Sequence, residues 1–284
     1  MVVLVTGSSG QLGQALKSIA KQYIEVDFEF CNSTELDITD LEQCKIVFAK
    51  IKPKFCINAA AYTAVDKAES EPEKARLINV GGPINLAQVC KEMDVILLHI
   101  STDFIFDGIS TKPYTEEDIP NPTGIYGKTK LDGEIVIHAI LEKYFIIRTS
   151  WVYSQFGNNF MKTMLRLGRE RDSLSVVNDQ IGTPTNAVDL AEALVKIVHF
   201  CHAELVSASQ FGIYNFSNEG QCSWYEFAKK ILEINKMELD LQPIATSDYP
   251  TPAKRPRYSV LDKSKIKKVF GIKVKNWKES LKKL

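Results

Sequence analysis

Apolar and polar positions along the chain alternate between two rhythms. Short continuous apolar runs, such as Val2-Val3-Leu4-Val5, give way to longer stretches in which apolar residues recur every three or four positions. The first kind suits a strand buried on both faces of a parallel sheet, and the second a helix with one buried stripe. After residues 2–5 comes Thr6-Gly7-Ser8-Ser9-Gly10-Gln11-Leu12-Gly13. A helical stretch follows, with Leu12, Leu16, Ile19 and Ala20 on one side. Strand, glycine turn and helix make half of a βαβ unit.

The alternation continues. Residues 24–30 predict a strand, 41–50 a helix opened by Asp40 as N-cap, and 55–58 a third strand. Helices are expected over 71–79 and 83–93, the second with Pro83 in its first turn, where the missing N–H costs nothing. Residues 95–100 and 145–149 read as strands flanking a helix over 127–141. The class is therefore α/β, with a doubly wound parallel sheet. Beyond Trp151 the rhythm loosens into helices at 161–171, 188–202 and 224–235 and strands at 174–178 and 212–217. Three prolines make 248–256 an extended loop. The expected division is a dinucleotide-binding Rossmann domain over 1–153, rejoined by about 174–200, with 154–284 mostly a smaller substrate-binding lobe. Residues 201–210 read as a surface loop.

The 284 residues are 45% hydrophobic and carry 35 basic and 35 acidic side chains. Disordered, collagenous and disulfide-miniprotein classes are excluded. Zero net charge argues against general nucleic-acid binding, which needs a surplus of Lys and Arg. Nine lysines fall within the last 22 residues. Ile266, Val269, Phe270, Ile272, Trp277 and Leu281 interleave with them, which predicts a packed element with a solvated lysine face. The six cysteines form no C-x-x-C pair, and no metal site is expected. Reduced thiols, no apolar run near the roughly 20 residues of a membrane span, and no leader pattern predict a cytoplasmic protein without membrane contact.

Three motifs carry chemistry. Gly7, Gly10 and Gly13 allow a tight turn and close backbone approach to a pyrophosphate at a helix N-terminus. Their spacing departs from G-x-G-x-x-G, but they stand between strand and helix as the motif requires. Tyr126 and Lys130 are four apart at a helix start and share a face. An ammonium there would lower the phenol's pKa toward neutrality, making Tyr126 a proton donor to a carbonyl. Ser101-Thr102-Asp103 follows an apolar strand, where parallel sheets face their ligands, so Thr102 can hold the same oxygen.

In this order and spacing the motifs resemble the extended short-chain dehydrogenase/reductase family. Within it, they are similar to the dTDP-4-dehydrorhamnose reductases. The narrower likeness rests on Gly10-Gln11-Leu12-Gly13, Leu36-Asp37-Ile38-Thr39, Asn58 to Glu69, Ser101 to Gly108 and Tyr126 to Glu134. Arg148 to Tyr153, Asp179 to Thr185 and Arg255 to Asp262 extend it over nearly the whole chain. The resemblance implies NADPH- or NADH-dependent reduction of the C4 ketone of dTDP-4-dehydro-β-L-rhamnose to dTDP-L-rhamnose. This would be the last step of dTDP-rhamnose synthesis for cell-surface polysaccharide.

It also implies roles. Gln11 and Leu12 would contact the pyrophosphate, with Asp37 and Ile38 by the adenine. Ala59, Ala60, Ala61, Tyr62 and Thr63 would line the cofactor. Lys130 would bond the nicotinamide ribose. Thr102, Asp103 and Phe104 would meet the sugar, Trp151 would pack on it, and Arg255 would hold the phosphates. Asn32 stands where an acidic residue often binds the adenosine ribose, so a 2′-phosphate is not repelled and the cofactor choice stays open. Ala15 replaces a glutamate that some members use in a magnesium-bridged dimer. A homodimer therefore stays open, with no metal bridge expected. Phe104 cannot transfer a proton, which disfavours a 4,6-dehydratase. Another nucleotide-sugar reductase or epimerase remains an alternative, as does a non-catalytic subunit like that of methionine adenosyltransferase.

Overall fold

The computed structural model describes residues 1–203, 207 and 210–282. The first half alternates strand and helix. β1 (Val2–Thr6) leads into α1 (Gln11–Ala20), β2 (Asp27–Phe30), α2 (Leu41–Ile51) and β3 (Phe55–Asn58). Then come α3 (Val65–Ala68), α4 (Pro72–Arg76), a π-helical turn (Leu77–Gly81) and α5 (Gly82–Glu92). β4 (Ile96–Thr102), α6 (Ile125–Ile140) and β5 (Tyr144–Thr149) complete it. The second half is built from β6 (Val152–Tyr153), α7 (Phe160–Glu170), β7 (Ser173–Val177), β8 (Ile181–Gly182) and β9 (Thr185–Asn186). It continues through α8 (Ala187–Ala203), β10 (Gly212–Asn215), β11 (Cys222–Ser223), α9 (Trp224–Ile234) and β12 (Asp240–Ile244), and closes with α10 (Ser264–Phe270) and α11 (Trp277–Leu281).

Six strands form one parallel sheet in the order β10-β5-β4-β3-β1-β2. The order reverses at β1, so the crevice above the C-terminal ends of β1 and β3 is the topological switch point where such sheets bind ligands. Alternate strand residues serve opposite faces. Val3, Val5, Ile57, Leu98 and Ile147 pack with α1 and α8, while Leu4, Cys56, Leu97 and Ile146 pack with α2, α5 and α6. A separate core joins Met161, Met164, Leu174, Val176, Phe227, Ile231 and Trp277. There β7 pairs in parallel with β12, apart from the large sheet. The lysine-rich end packs as expected, with Ile266, Phe270, Ile272, Trp277 and Leu281 buried.

Two expectations shift. The strand expected over 24–30 starts at Asp27, the partner of Val2, and leaves Ile24 exposed. The helices expected at 71–79 and 83–93 are one rod with a π turn between them. Pro83 offers no N–H to the residue 79 carbonyl and its ring would strike that oxygen, and a wider turn relieves both. In the stretch read as a loop over 201–210, α8 runs through Ala203, and 204–206 and 208–209 lie outside the described residues, as does Lys283 of the lysine-rich end.

Candidate active site

The glycine turn begins where β1 ends. Gly7 has φ +65°, and a Cβ there would stand 2.6 Å from the Ala60 nitrogen. The turn thus lies directly against Ala59 and Ala60, the segment leaving β3. Gly10 caps α1 without any side-chain bond to its first amides, which suits an anion at this helix end. The Gln11 side chain turns to the second half of the chain. Its Oε1 accepts from Ser154 Oγ (3.1 Å) and Asn159 Nδ2 (2.9 Å), and its Nε2 donates to Val152 O (3.5 Å). The stretch after Trp151 is therefore tied to the start of α1.

Around the turn, the other expected cofactor residues are held by short-range bonds. Asp37 Oδ1 accepts from Thr39 N (2.9 Å), and Ile38 presents its side chain to Gly82. Tyr62 N donates to Asn79 Oδ1 (2.9 Å), while Asn79 Nδ2 donates to Tyr62 O and to Thr129 Oγ1, both at 3.1 Å. Asn79 belongs to the π turn and clamps the post-β3 segment to α6. Nothing in the sequence singles out this one buried Asn. At the end of β2, Asn32 Oδ1 caps Thr34 and Glu35, and the Glu35 carboxylate returns to Asn32 N (2.8 Å). A carboxylate, that of Glu35, thus lies against the backbone of residue 32.

The residues expected to react gather at the C-terminal end of β4 and the start of α6. Thr102 Oγ1 accepts from Phe104 N (3.2 Å) and donates to Asp103 Oδ1 (3.1 Å). Phe104 meets Tyr126 edge to face, with ring centroids 5.5 Å apart. Gly127 makes this contact possible, since a Cβ there would collide with the Phe104 carbonyl oxygen. Burial pushes the Tyr126 phenol up to about 12, against the hydrogen-bonded Thr102 hydroxyl, which pulls it down. The expectation that Lys130 lowers this pKa is not met. Lys130 Nζ donates instead to Ile100 O (2.7 Å) and lies 3.1 Å from His99 Nε2. Burial brings the Lys130 amine down to about 8.

Asp103 is buried, and burial pushes its carboxyl up to about 6 against the Ser259 and Thr102 hydroxyls. Its Oδ2 makes no hydrogen bond. One turn beyond Lys130, Glu134 takes a forked grip from Arg148 of β5 (Nη2 to Oε2, 2.7 Å), which pins α6 to the sheet. Both partners are buried, and breaking one side of such a pair costs about 3–5 kcal/mol.

Trp151 has φ +47°, an unfavourable backbone for a bulky residue and of the sort that concentrates at functional sites. Its ring stacks on Trp224, centroids 3.6 Å apart and planes 9° off parallel, and Gly182 leaves room for it. Trp224, at the capped start of α9, went unnoticed in the sequence because it reads as an ordinary apolar helix position. Arg255 is engaged by Asp66 through Nη1 (3.0 Å) and Nη2 (2.7 Å), and also bonds Thr251 Oγ1 and Ala253 O.

The whole chain, residues 1–284, matches the sequence model of the RmlD substrate binding domain. It is 41% identical to a dTDP-4-dehydrorhamnose reductase of Aggregatibacter actinomycetemcomitans, covering 99% of this chain and 97% of that one. A solved dTDP-4-dehydrorhamnose reductase from Clostridium acetobutylicum superposes with TM-score 0.93 at 41% identity, covering 100% and 98%. A second, from Bacillus anthracis in complex with NADP, gives 0.93 at 40% identity, covering 99% and 97%. With the parallel sheet, the glycine turn and the Thr102-Tyr126-Lys130 set in place, the chain belongs to the RmlD substrate binding domain family, that of the dTDP-4-dehydrorhamnose reductases.

Proposed function

We propose that the chain reduces the C4 ketone of dTDP-4-dehydro-β-L-rhamnose to dTDP-L-rhamnose, with NADPH or NADH as reductant. The observation that carries this is the meeting of Thr102, Tyr126 and Phe104 at the end of β4. It offers two hydroxyls for one carbonyl oxygen and no further acid/base group at 104 for eliminating water. The glycine turn, the uncapped α1 start and the Ala59–Ala60 wall fit a dinucleotide, and the cofactor when bound supplies a hydride.

The chain's own residues do the rest. Tyr126, kept protonated by burial, gives its proton to the ketone oxygen as that oxygen gains charge. The Thr102 hydroxyl, turning its one hydrogen away from Asp103 Oδ1, donates to the same oxygen. The free Oδ2 of Asp103 receives a sugar hydroxyl, and the Trp151 ring, held by Trp224, packs on the sugar face. Arg255 reaches the phosphates with donors left over from Asp66. Residues 1–153, rejoined by part of 174–200, hold the dinucleotide in this reading, and most of 154–284 covers the sugar. The packing of α8 against the same core as α1 supports the former. Six free thiols, five of them buried, support a cytoplasmic setting. No helix among the described residues is long and apolar enough to cross a membrane.

The test mixes protein, NADPH and enzymatically made dTDP-4-dehydrorhamnose and follows the absorbance of reduced nicotinamide, with a UDP-linked keto sugar as a second arm. Substrate-dependent loss with the dTDP sugar is expected. Tyr126→Phe should lower kcat by about 10²–10⁴-fold with cofactor still bound. No loss with either sugar would overturn the reading, and preference for the UDP sugar would overturn its base specificity.

A further inference from the structure

The motif from Asn58 to Glu69 ends on a carboxylate that reaches out of its own element. Glu69 directly follows α3, and its Oε1 accepts from Ile125 N at 2.8 Å, 56 residues along the chain. Ile125 is the first residue of α6 and Tyr126 the second.

Helix α6 brings no side chain of its own to this task. Its N-cap is Gly124, where helices usually place Ser, Thr, Asp or Asn to accept from the first amides. The backbone does not call for glycine there, since φ −137° and ψ 168° are extended values open to any residue. Space does. A Cβ at 124 would stand 2.8 Å from Glu69 Oε1. Gly124 and Glu69 thus work as a pair, a remote cap seated in the room that a local side chain would fill. A carboxylate suits the place, because it meets the positive end of a 16-residue helix and makes a charge-assisted bond.

The cap falls beside Tyr126, which is held on both sides. Before it, Ile125 N is fixed by Glu69. After it, Tyr126 O accepts from Thr129 Oγ1 at 3.0 Å, and that hydroxyl accepts in turn from Asn79 Nδ2. A serine at 124 would satisfy the same amide but would tie the helix only to itself. A cap from α3 also fixes where the helix begins. The same α3 carries Asp66, three positions before Glu69, whose carboxylate grips Arg255. One short helix therefore holds both the proline-rich loop and the start of α6.

We propose that Glu69 is a positioning residue: from α3 it sets the start of α6 so that the Tyr126 hydroxyl comes within reach of the ketone oxygen. The inference rests on the reading of Tyr126 as proton donor. Proton transfer needs heavy atoms about 2.6–3.2 Å apart, and a misplacement of about 1 Å can cost about 10²-fold. Glu69 acts on that distance through the backbone of Ile125.

The experiment measures kcat per cofactor-binding site, the sites being counted by titration with NADPH followed by fluorescence, and KM for the sugar nucleotide alongside. Glu69→Ala removes the cap and should lower kcat per site by about 10–100-fold, with KM and cofactor affinity within about threefold of the parent. Glu69→Gln keeps an oxygen for Ile125 N and should restore kcat to within about threefold. Gly124→Ala leaves Glu69 in the chain but pushes its carboxylate aside, at little cost because that group ends a flexible side chain. It should reproduce the loss, and it carries the test if Glu69→Ala does not fold. A cap that only stabilised the fold would lower the number of sites and the Tm while leaving kcat per site unchanged, and that result would overturn the proposal. So would a Glu69→Gln variant as slow as Glu69→Ala. Absence of turnover in the parent protein would instead overturn the reductase reading. Hydrogen exchange at the Ile125 amide then still decides the cap: faster exchange is expected in both alanine variants and slow exchange in Glu69→Gln, and equal rates throughout would refute it.

Discussion

Arg255 grips the Asp66 carboxylate with both terminal nitrogens, at 3.0 and 2.7 Å, although 189 residues separate them. The guanidinium holds the Asp66 carboxyl below its usual range. This bond fastens the proline-rich loop onto α3. Because Nη1 already serves Asp66, Thr251 and Ala253, a phosphate must use Nε and the spare Nη2 hydrogen or displace Asp66.

Arg255→Met is therefore expected to raise KM for the sugar nucleotide by about tenfold or more, with a smaller change in kcat. Asp66→Asn should cost under about 1 kcal/mol of stability, since both side chains are partly exposed. Steady-state kinetics and denaturant melts check the two. An unchanged KM in Arg255→Met would remove this residue from phosphate binding.

Asp103 predicts a trade between stability and function. Its folded pKa of about 6 lies above the 3.8 of an ordinary aspartate, so the native state binds more protons in that window. Its contribution to stability falls as pH rises from about 4 to 6, and the cost persists at neutrality. Asp103→Asn should stabilise the fold at pH 7 by up to about 3 kcal/mol, gain nothing at pH 4, and weaken substrate binding. Equal melting differences at the two pH values would rule this out.

Glu35 bears on cofactor choice. Its carboxylate sits against Asn32 N, where β2 delivers the chain to the adenosine ribose in this class of sheet. A like charge about 4 Å from a 2′-phosphate costs at least about 1 kcal/mol. Glu35→Ala should shift the ratio of kcat/KM values toward NADPH by roughly fivefold or more. A ratio that does not move would place the discrimination elsewhere.

Much of this was legible in the residues. Periodicity gave the strands and helices because a parallel sheet covered on both faces demands continuous apolar runs, and its helices demand one apolar stripe. The glycine turn and the Tyr126–Lys130 spacing were visible because each is a local backbone requirement. Asn79, Trp224 and His99 were not, since one Asn in a helix, one Trp at a helix start and one His in an apolar strand carry no local signal.

The amino-acid order alone thus determined the α/β class and the place of the glycine turn, and it brought Thr102 and Tyr126 forward as the candidate hydroxyls. Tertiary structure decided their electrostatics. It turned Lys130 toward His99 and Ile100, enclosed Tyr126 with Phe104, and gave Arg255 to Asp66. The reason is that a pKa or a hydrogen-bond direction depends on burial and on partners brought from distant strands. Sequence spacing fixes which side chains share a helix face, but not which atoms the rest of the fold puts opposite them.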